Sequence, residues 1–342
     1  MRQPACPDAL QDSGPGMARS CGRQVLRKGA AVGPKPVNAL PIIDIADLGS
    51  DDPTARRAVA ALVGRACREV GFFVITGHGV GSALIADTFA ASTAFFAQPD
   101  EPKRRLAIGR LGHNRGYVGT GIEALDEKSG ADHKEAFNLI WTDGLDRPAN
   151  VWPELPGFQA VVQGYFDALL EVGRRLHCAF ATDLGLEEDF FADKIDRPQA
   201  TLRLLHYPGP RADAPAGQIG AGAHTDYGNV TLLATDGVAG LQVRRRDGTW
   251  IDAPALPGSF VCNIGDCLMR WTNDIYVSTP HRVLKPTAER YSIAMFVDPN
   301  PEAMVRAIPS CVPAGESPRH APISAHDYLQ QRFASTYGPR PS

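Results

Sequence analysis

Val230-Thr-Leu-Leu-Ala-Thr-Asp-Gly-Val-Ala-Gly-Leu-Gln-Val-Arg-Arg-Arg-Asp-Gly-Thr-Trp-Ile-Asp252 decides the fold. Strand formers occur there in three short runs, 230–235, 239–246 and 249–252, with turn residues between them. Asp247-Gly248 is a two-residue hairpin signal between the last two. Similar runs lie on either side, at 201–207, 259–264, 280–285 and 290–297. Many short strands at this spacing predict an antiparallel barrel or jelly roll.

Upstream the pattern is helical. Val59, Leu62, Val63, Ala66 and Val70 form one apolar stripe over 55–70, and Asp52-Pro53-Thr54 offers its start. Helices are also expected over 82–96, ended by Pro99 and Pro102, and over 158–184, capped by Gly185. Pro41–Ile45 and Phe72–Thr76 read as strands that extend the barrel, and Lys134-Glu-Ala-Phe137 as a short strand or turn. The segment 109–121 reads as a loop. The fold class is therefore an all-β core with flanking helices. Residues 39–197 form a helical N-terminal region, 198–300 the β core, and 301–342 a C-terminal segment. The last contains a helix over 324–337 that could cover the barrel mouth as a lid. Residues 1–38, rich in Pro, Gly, Ala, Ser and Arg, are expected to be a disordered extension, and Met17 offers a second start.

Composition excludes several function classes. Hydrophobic content of 44%, charged content of 21% and a net charge of −3 are those of an ordinary globular protein. They give no argument for nucleic acid or membrane partners, and Arg244-Arg245-Arg246 reads as a solvated hairpin tip. No apolar run approaches the ~20 residues needed to span a bilayer. Seven scattered cysteines without a C-x-x-C pair argue against a disulfide framework or structural zinc and fit a reducing cytoplasm. A monomer or weak homo-oligomer is expected.

The chemistry gathers on the strands. In an extended strand, residues i and i+2 share a face, so His224 and Asp226 can present an imidazole and a carboxylate to one point. His281, which begins a later strand, can complete a two-His, one-carboxylate set, the usual site of non-haem Fe(II) oxygenases. Arg290 and Ser292 share one face of the last strong strand. Arg suits a carboxylate co-substrate because its planar fork makes two parallel hydrogen bonds. Alternation puts Phe296 on the Arg290 face. It also groups Arg203 with Tyr207, whose hydroxyl is a natural second contact; Arg203 is either an inner-face carboxylate partner or an exposed strand residue. His206 falls on the opposite face. His78, in a Gly-His-Gly turn, reads as structural, and Asp266 as a turn former.

Further motifs carry a resemblance. Pro41-Ile-Ile-Asp44, Ala66-Cys-Arg-Glu-Val-Gly-Phe-Phe-Val-Ile-Thr-Gly-His-Gly79, Leu204-Leu-His-Tyr-Pro208, His224-Thr-Asp226-Tyr-Gly, Gly265-Asp266, Ser278-Thr-Pro-His281-Arg-Val and Arg290-Tyr-Ser292 occur in that order. Over most of 40–300 the chain resembles the iron- and 2-oxoglutarate-dependent dioxygenases of the isopenicillin N synthase-like family. The resemblance implies a double-stranded β-helix (jelly roll) enclosing Fe(II) held by His224, Asp226 and His281. It implies Arg290, Ser292 and Tyr207 as contacts of the 2-oxoglutarate C5-carboxylate. Plant members often have Asn where this chain has Leu205, so Arg203 becomes the candidate for the C1 end.

The implied reaction decarboxylates 2-oxoglutarate to succinate and CO2 with O2 and oxidises, most simply hydroxylates, a small molecule; ascorbate would support it in vitro. Relatives that form ethylene from 2-oxoglutarate, iron oxidases that do not use it, and a non-catalytic binding protein are the alternatives. Tyr117, Phe137, Asn138, Tyr227 and Phe296 are the candidate substrate contacts.

Overall fold

The computed structural model describes residues 39–123, 132–209, 219–285 and 287–337, with side chains as far as Arg332. The expected extension over 1–38 lies outside them. In chain order come β1 (Ile42–Asp44), α1 (Pro53–Glu69), β2 (Phe72–Thr76), α2 (Ser82–Phe96), α3 (Asp100–Arg105), α4 (Ile108–Leu111), β3 (Gly116–Val118), β4 (Glu135–Ile140) and α5 (Phe158–Asp183). The second half holds β5 (Thr201–Tyr207), β6 (Ala221–His224), β7 (Val230–Thr235), β8 (Leu241–Arg244), β9 (Trp250–Asp252), β10 (Phe260–Ile264), α6 (Asp266–Trp271), β11 (His281–Val283) and β12 (Arg290–Val297). β13 (Met304–Val305), β14 (Ile323–Ser324) and α7 (Ala325–Tyr337) close the chain.

An eight-stranded sheet runs β1-β2-β10-β7-β12-β5-β4-β3 and a four-stranded sheet runs β6-β11-β8-β9. β1 pairs with β2 in parallel; β10, β7, β12, β5, β4 and β3 continue antiparallel. Val74, Val261, Leu205 and Ala294 of the large sheet pack with Leu241, Val243 and Val283 of the small one, so the two sheets enclose one interior. The alternate residues Phe73, Ile75, Leu202, Leu204, Leu232, Ile293 and Met295 face outward and join the core formed with α1, α2 and α5. This is the expected jelly-roll core flanked by helices.

Local chemistry explains the boundaries. Asp52 caps α1 by accepting from Thr54 N–H at 2.8 Å, with Pro53 in the first turn. Gly71 reverses the chain into β2 at φ +72°, and a Cβ there would lie 2.0 Å from the Val277 carbonyl oxygen.

Four details differ from the sequence reading. The Arg245–Thr249 turn is longer than a two-residue hairpin, because Gly248 N–H bonds the Arg245 carbonyl and Thr249 C=O accepts from Arg245 N–H. Pro102 lies inside the first turn of α3, where its missing N–H costs nothing. The expected loop over 109–121 contains β3. Asp266 opens the helix α6 instead of making a turn.

Candidate metal centre and the barrel interior

β6 delivers His224, the turn after it Asp226, and β11 His281. His281 and His224 are register partners on adjacent strands, with ring centroids 4.3 Å apart. One ligating atom from each of the three residues lies within 4.8 Å of the others. Asp226 Oδ1 is 3.7 Å from Nε2 of both imidazoles.

The remaining polar atoms of these residues are occupied. His224 Nδ1–H donates to the Gly222 carbonyl at 2.7 Å, which leaves Nε2 with its lone pair. Asp226 Oδ2 accepts from Thr231 Oγ1 at 2.5 Å and Asn263 Nδ2 at 2.7 Å. Phe72 packs edge-on against His281. Gly265 lets the start of α6 approach closely: a Cβ there would lie 2.3 Å from the Gly228 carbonyl oxygen. Asp266 N–H can then donate to the Asp226 carbonyl at 2.8 Å.

Electrostatics suit a cation. Burial, with His281 beside it, pushes the His224 imidazole down to about 4, so it is neutral at pH 7. Burial alone would raise the Asp226 carboxyl. The His281 and His224 rings, with the Asn263 and Thr231 bonds, outweigh burial and hold it below its ordinary value.

On the inner face of β12, Arg290 and Ser292 are 1% exposed. Arg290 donates from Nη1 to Ser292 Oγ at 3.3 Å and from Nε to the Val238 carbonyl at 3.2 Å. Its guanidinium lies over the Tyr207 ring, 4.8 Å from the centroid, and Tyr207 is its register partner on β5. Alternation put Arg290 and Ser292 on one face and Tyr207 on the inner face of another strand; the register of β5 against β12 brings the three together.

Arg203 also points inward. Its Nη2 donates to both oxygens of Glu123, at 2.8 and 3.0 Å, and its Nε to Asn138 Oδ1 at 2.9 Å. Lys134 bonds Asp132 and lies 3.3 Å from Glu123. Asp132 Oδ1 in turn accepts from Gly222 N–H at 3.1 Å. Glu123, Asp132 and Lys134 were not singled out by sequence. Thr231 and Asn263 were also missed, because their meeting at Asp226 depends on the register of β7 against β10.

Two substrate candidates need correction. Tyr117 and Phe137 face the helices, not the barrel interior. Phe137 is fully buried against Phe95 and Phe158, and the Tyr117 hydroxyl donates to Glu135 at 2.6 Å. The period of two decides this: Val118, Ala136 and Asn138 take the inner face, so their neighbours cannot. Asn138 and the half-buried Phe296 do belong to the interior. Tyr227 lies beside the centre, under the Arg332 guanidinium of α7. Arg332 also pairs with Asp266 at 3.1 Å, so the C-terminal helix is fastened to the start of α6 as well as to Tyr227 of the loop that carries Asp226. Two other histidines have structural partners. His78 bonds the Gly258 carbonyl and Val80 N–H, and His206 sits on the outer face between Glu135 and Glu289.

Comparison with known proteins agrees with this geometry. Residues 198–299 match the model of the 2OG-Fe(II) oxygenase superfamily, and residues 40–155 that of the non-haem dioxygenase in morphine synthesis N-terminal region. The chain is 36% identical over 318 residues to the 2-oxoglutarate-Fe(II) type oxidoreductase hxnY of Emericella nidulans, covering 88% of this chain and 91% of that protein. It is 34% identical to the homoarginine-6-hydroxylase 2-ODD-233 of Oryza sativa subsp. japonica, over 80% and 89% of the two chains. Among solved structures, a full-length Neurospora crassa protein in complex with alpha-KG superposes with a TM-score of 0.82 at 31% identity, covering 89% of this chain and 98% of that one. JOX2 in complex with 2OG, Fe and JA gives a TM-score of 0.76 at 30% identity, over 88% and 86%.

Proposed function

This chain belongs to the 2-oxoglutarate-Fe(II) oxygenase superfamily, and on that premise we propose that His224, Asp226 and His281 hold its iron and that Arg290, Ser292 and Tyr207 hold the distal carboxylate of 2-oxoglutarate. The enzyme is an Fe(II)- and 2-oxoglutarate-dependent oxidoreductase. It couples decarboxylation of 2-oxoglutarate to succinate and CO2 with oxidation of a small molecule.

The donor set fits Fe(II). Two imidazoles and one carboxylate, converging from one side, are the facial set of non-haem iron oxygenases. The carrying observation is that Asp226 Oδ1 faces both Nε2 atoms while its Oδ2 is held by Thr231 and Asn263. Bound iron would supply open coordination positions and a redox centre through which electrons from 2-oxoglutarate and the substrate reach O2. The protein's part is orientation. Gly222 fixes the tautomer of His224, and Arg290 offers a buried planar cation to a carboxylate.

The substrate would lie against the inner-face residues Phe296, Asn138 and Arg203 and against Tyr227. We read the outcome as hydroxylation, the reaction for which the rice relative is named. Arg203, whose guanidinium already grips Glu123, is assigned to the substrate side and not to the C1 end of 2-oxoglutarate. The compartment we assign is the cytoplasm, in keeping with the five free cysteines among the described residues.

Purified protein given Fe(II), ascorbate, O2 and 2-oxoglutarate should release succinate and CO2, faster with a substrate than without. Asp226→Ala should abolish both turnover and Fe(II) uptake. An Asp226→Ala protein that binds Fe(II) as the wild type does would remove the metal assignment.

A further inference from the structure

We propose that Glu123, Arg203, Lys134 and Asn138 form the polar wall of the substrate pocket and select an uncharged, hydrogen-bonding substrate over a free carboxylate. This rests on the reading of the barrel interior as the catalytic cavity.

The cluster is placed to do this. Arg203 lies on the inner face of β5 between Asn138 of β4 and Ala294 of β12, its register partners. The cluster reaches the metal centre through Asp132, which accepts from Gly222 N–H; the Gly222 carbonyl accepts from His224.

Two cations and two carboxylates inside a barrel are not explained by stability. Well-packed apolar residues of similar volume commonly stabilise as much as a buried ion pair or more. A polar wall beside a reactive centre, in contrast, orients a polar substrate.

The charges are balanced, and this sets the class of ligand. Arg203 is engaged by both oxygens of Glu123, and Lys134 by Asp132 and Glu123. Burial alone would raise the Glu123 carboxyl, but Arg203 and Lys134 hold it at about 2, so it stays ionised at any physiological pH. A carboxylate substrate arriving at Arg203 would have to displace a two-oxygen partner and sit beside two fixed anions. An amide, imide or hydroxyl can instead donate to Glu123 and accept from the cations without disturbing the balance. Arg290, on the same inner surface, makes the contrast. Among the described residues no carboxylate pairs with it; it faces the Ser292 hydroxyl and the Val238 carbonyl. The barrel thus holds one arginine open to a carboxylate and one already neutralised.

The test uses anaerobic protein loaded with Fe(II) and 2-oxoglutarate. Matched pairs of carboxylic acid and primary amide, such as phenylacetate with phenylacetamide and cyclohexanecarboxylate with its carboxamide, are titrated by calorimetry together with the corresponding primary amines. In the wild type the amide should bind at least about fivefold tighter than the acid. Glu123→Gln, which keeps the shape and removes the anion, should shift the acid-to-amide ratio at least about tenfold toward the acid. Arg203→Gln should shift preference the other way, toward the corresponding primary amines. Wild-type preference for the acids overturns the proposal. So does a ratio that fails to move, whether both members bind as before or neither binds. The affinity for 2-oxoglutarate, measured on the same samples and on Arg290→Gln, tests the co-substrate assignment separately.

Discussion

Asp226 works as two atoms with different duties. Oδ1 faces the two imidazoles, while Oδ2 is fixed by Thr231 and Asn263 on the neighbouring strands β7 and β10, themselves register partners. Without those donors the carboxylate would rotate and its charge would be less well satisfied. Outer partners of this kind typically change metal affinity by about 10–100-fold. Asn263→Ala and Thr231→Val should each weaken Fe(II) binding by about that range while the protein remains folded. Anaerobic Fe(II) titration with a circular dichroism control checks this, and unchanged affinity in both variants would deny the bonds a role. The sequence made the ligands legible because H-x-D and a later strand His are a chemical pattern. The donors behind them were hidden because Thr231 and Asn263 acquire meaning only through register across β7 and β10, which no local pattern fixes.

Among the elements, the β4–β5–β12 ribbon is the most informative. Its inner face carries Asn138, Arg203, Tyr207, Arg290 and Ser292. Its outer face carries a second charged cluster centred on Glu135, which is 6% exposed. That carboxylate accepts from Lys103 Nζ at 2.9 Å and the Tyr117 hydroxyl at 2.6 Å, and lies 2.7 Å from His206 Nδ1. Lys103, also buried, depends on Glu135 and the Phe96 carbonyl. Glu135→Ala should therefore cost about 3–5 kcal/mol, since removing one partner leaves an uncompensated buried charge. Urea unfolding of Glu135→Ala against the double variant Glu135→Leu/Lys103→Met measures it; the double variant should recover most of the loss. A single variant as stable as wild type would show that Lys103 reaches water. The same ribbon shows why Tyr117 and Phe137 were misread. Their position near the catalytic strands was legible, but the face they occupy depends on the register between a segment read as a loop, 109–121, and one read as a short strand or turn, 134–137. β5, β7 and β12, by contrast, were legible to the residue, because each is a long run of strand formers bounded by turn residues.

For the whole molecule, the helical half of the sequence and the β core are one folding problem. All the described residues lie in one compact unit. The large sheet takes β1, β2, β3 and β4 from before residue 198 and β5, β7, β10 and β12 from after it. β2 pairs along β10 from Phe72 to Ile75, and β4 along β5 from Glu135 to Ile140. The outer face of the core strands, with Leu202, Leu204, Leu232, Ile293 and Met295 all fully buried, is covered by Val162, Phe166 and Leu169 of α5 and their neighbours. A fragment beginning at residue 198 would expose both edges of β10–β7–β12–β5 and that whole apolar face. Exposed strand edges and large apolar patches promote association instead of a soluble fold. Residues 198–342 expressed alone should thus aggregate or bind a hydrophobic dye strongly and take up no Fe(II), although they contain every proposed iron ligand. Residues 39–342 should unfold in one cooperative transition whose midpoint rises when Fe(II) and 2-oxoglutarate are added, because ligands that bind only the folded state stabilise it by mass action. Calorimetry with and without a chelator reads both points. A soluble, iron-binding 198–342 fragment, or two separate transitions in the longer protein, would show instead that the β core holds its centre without the helices.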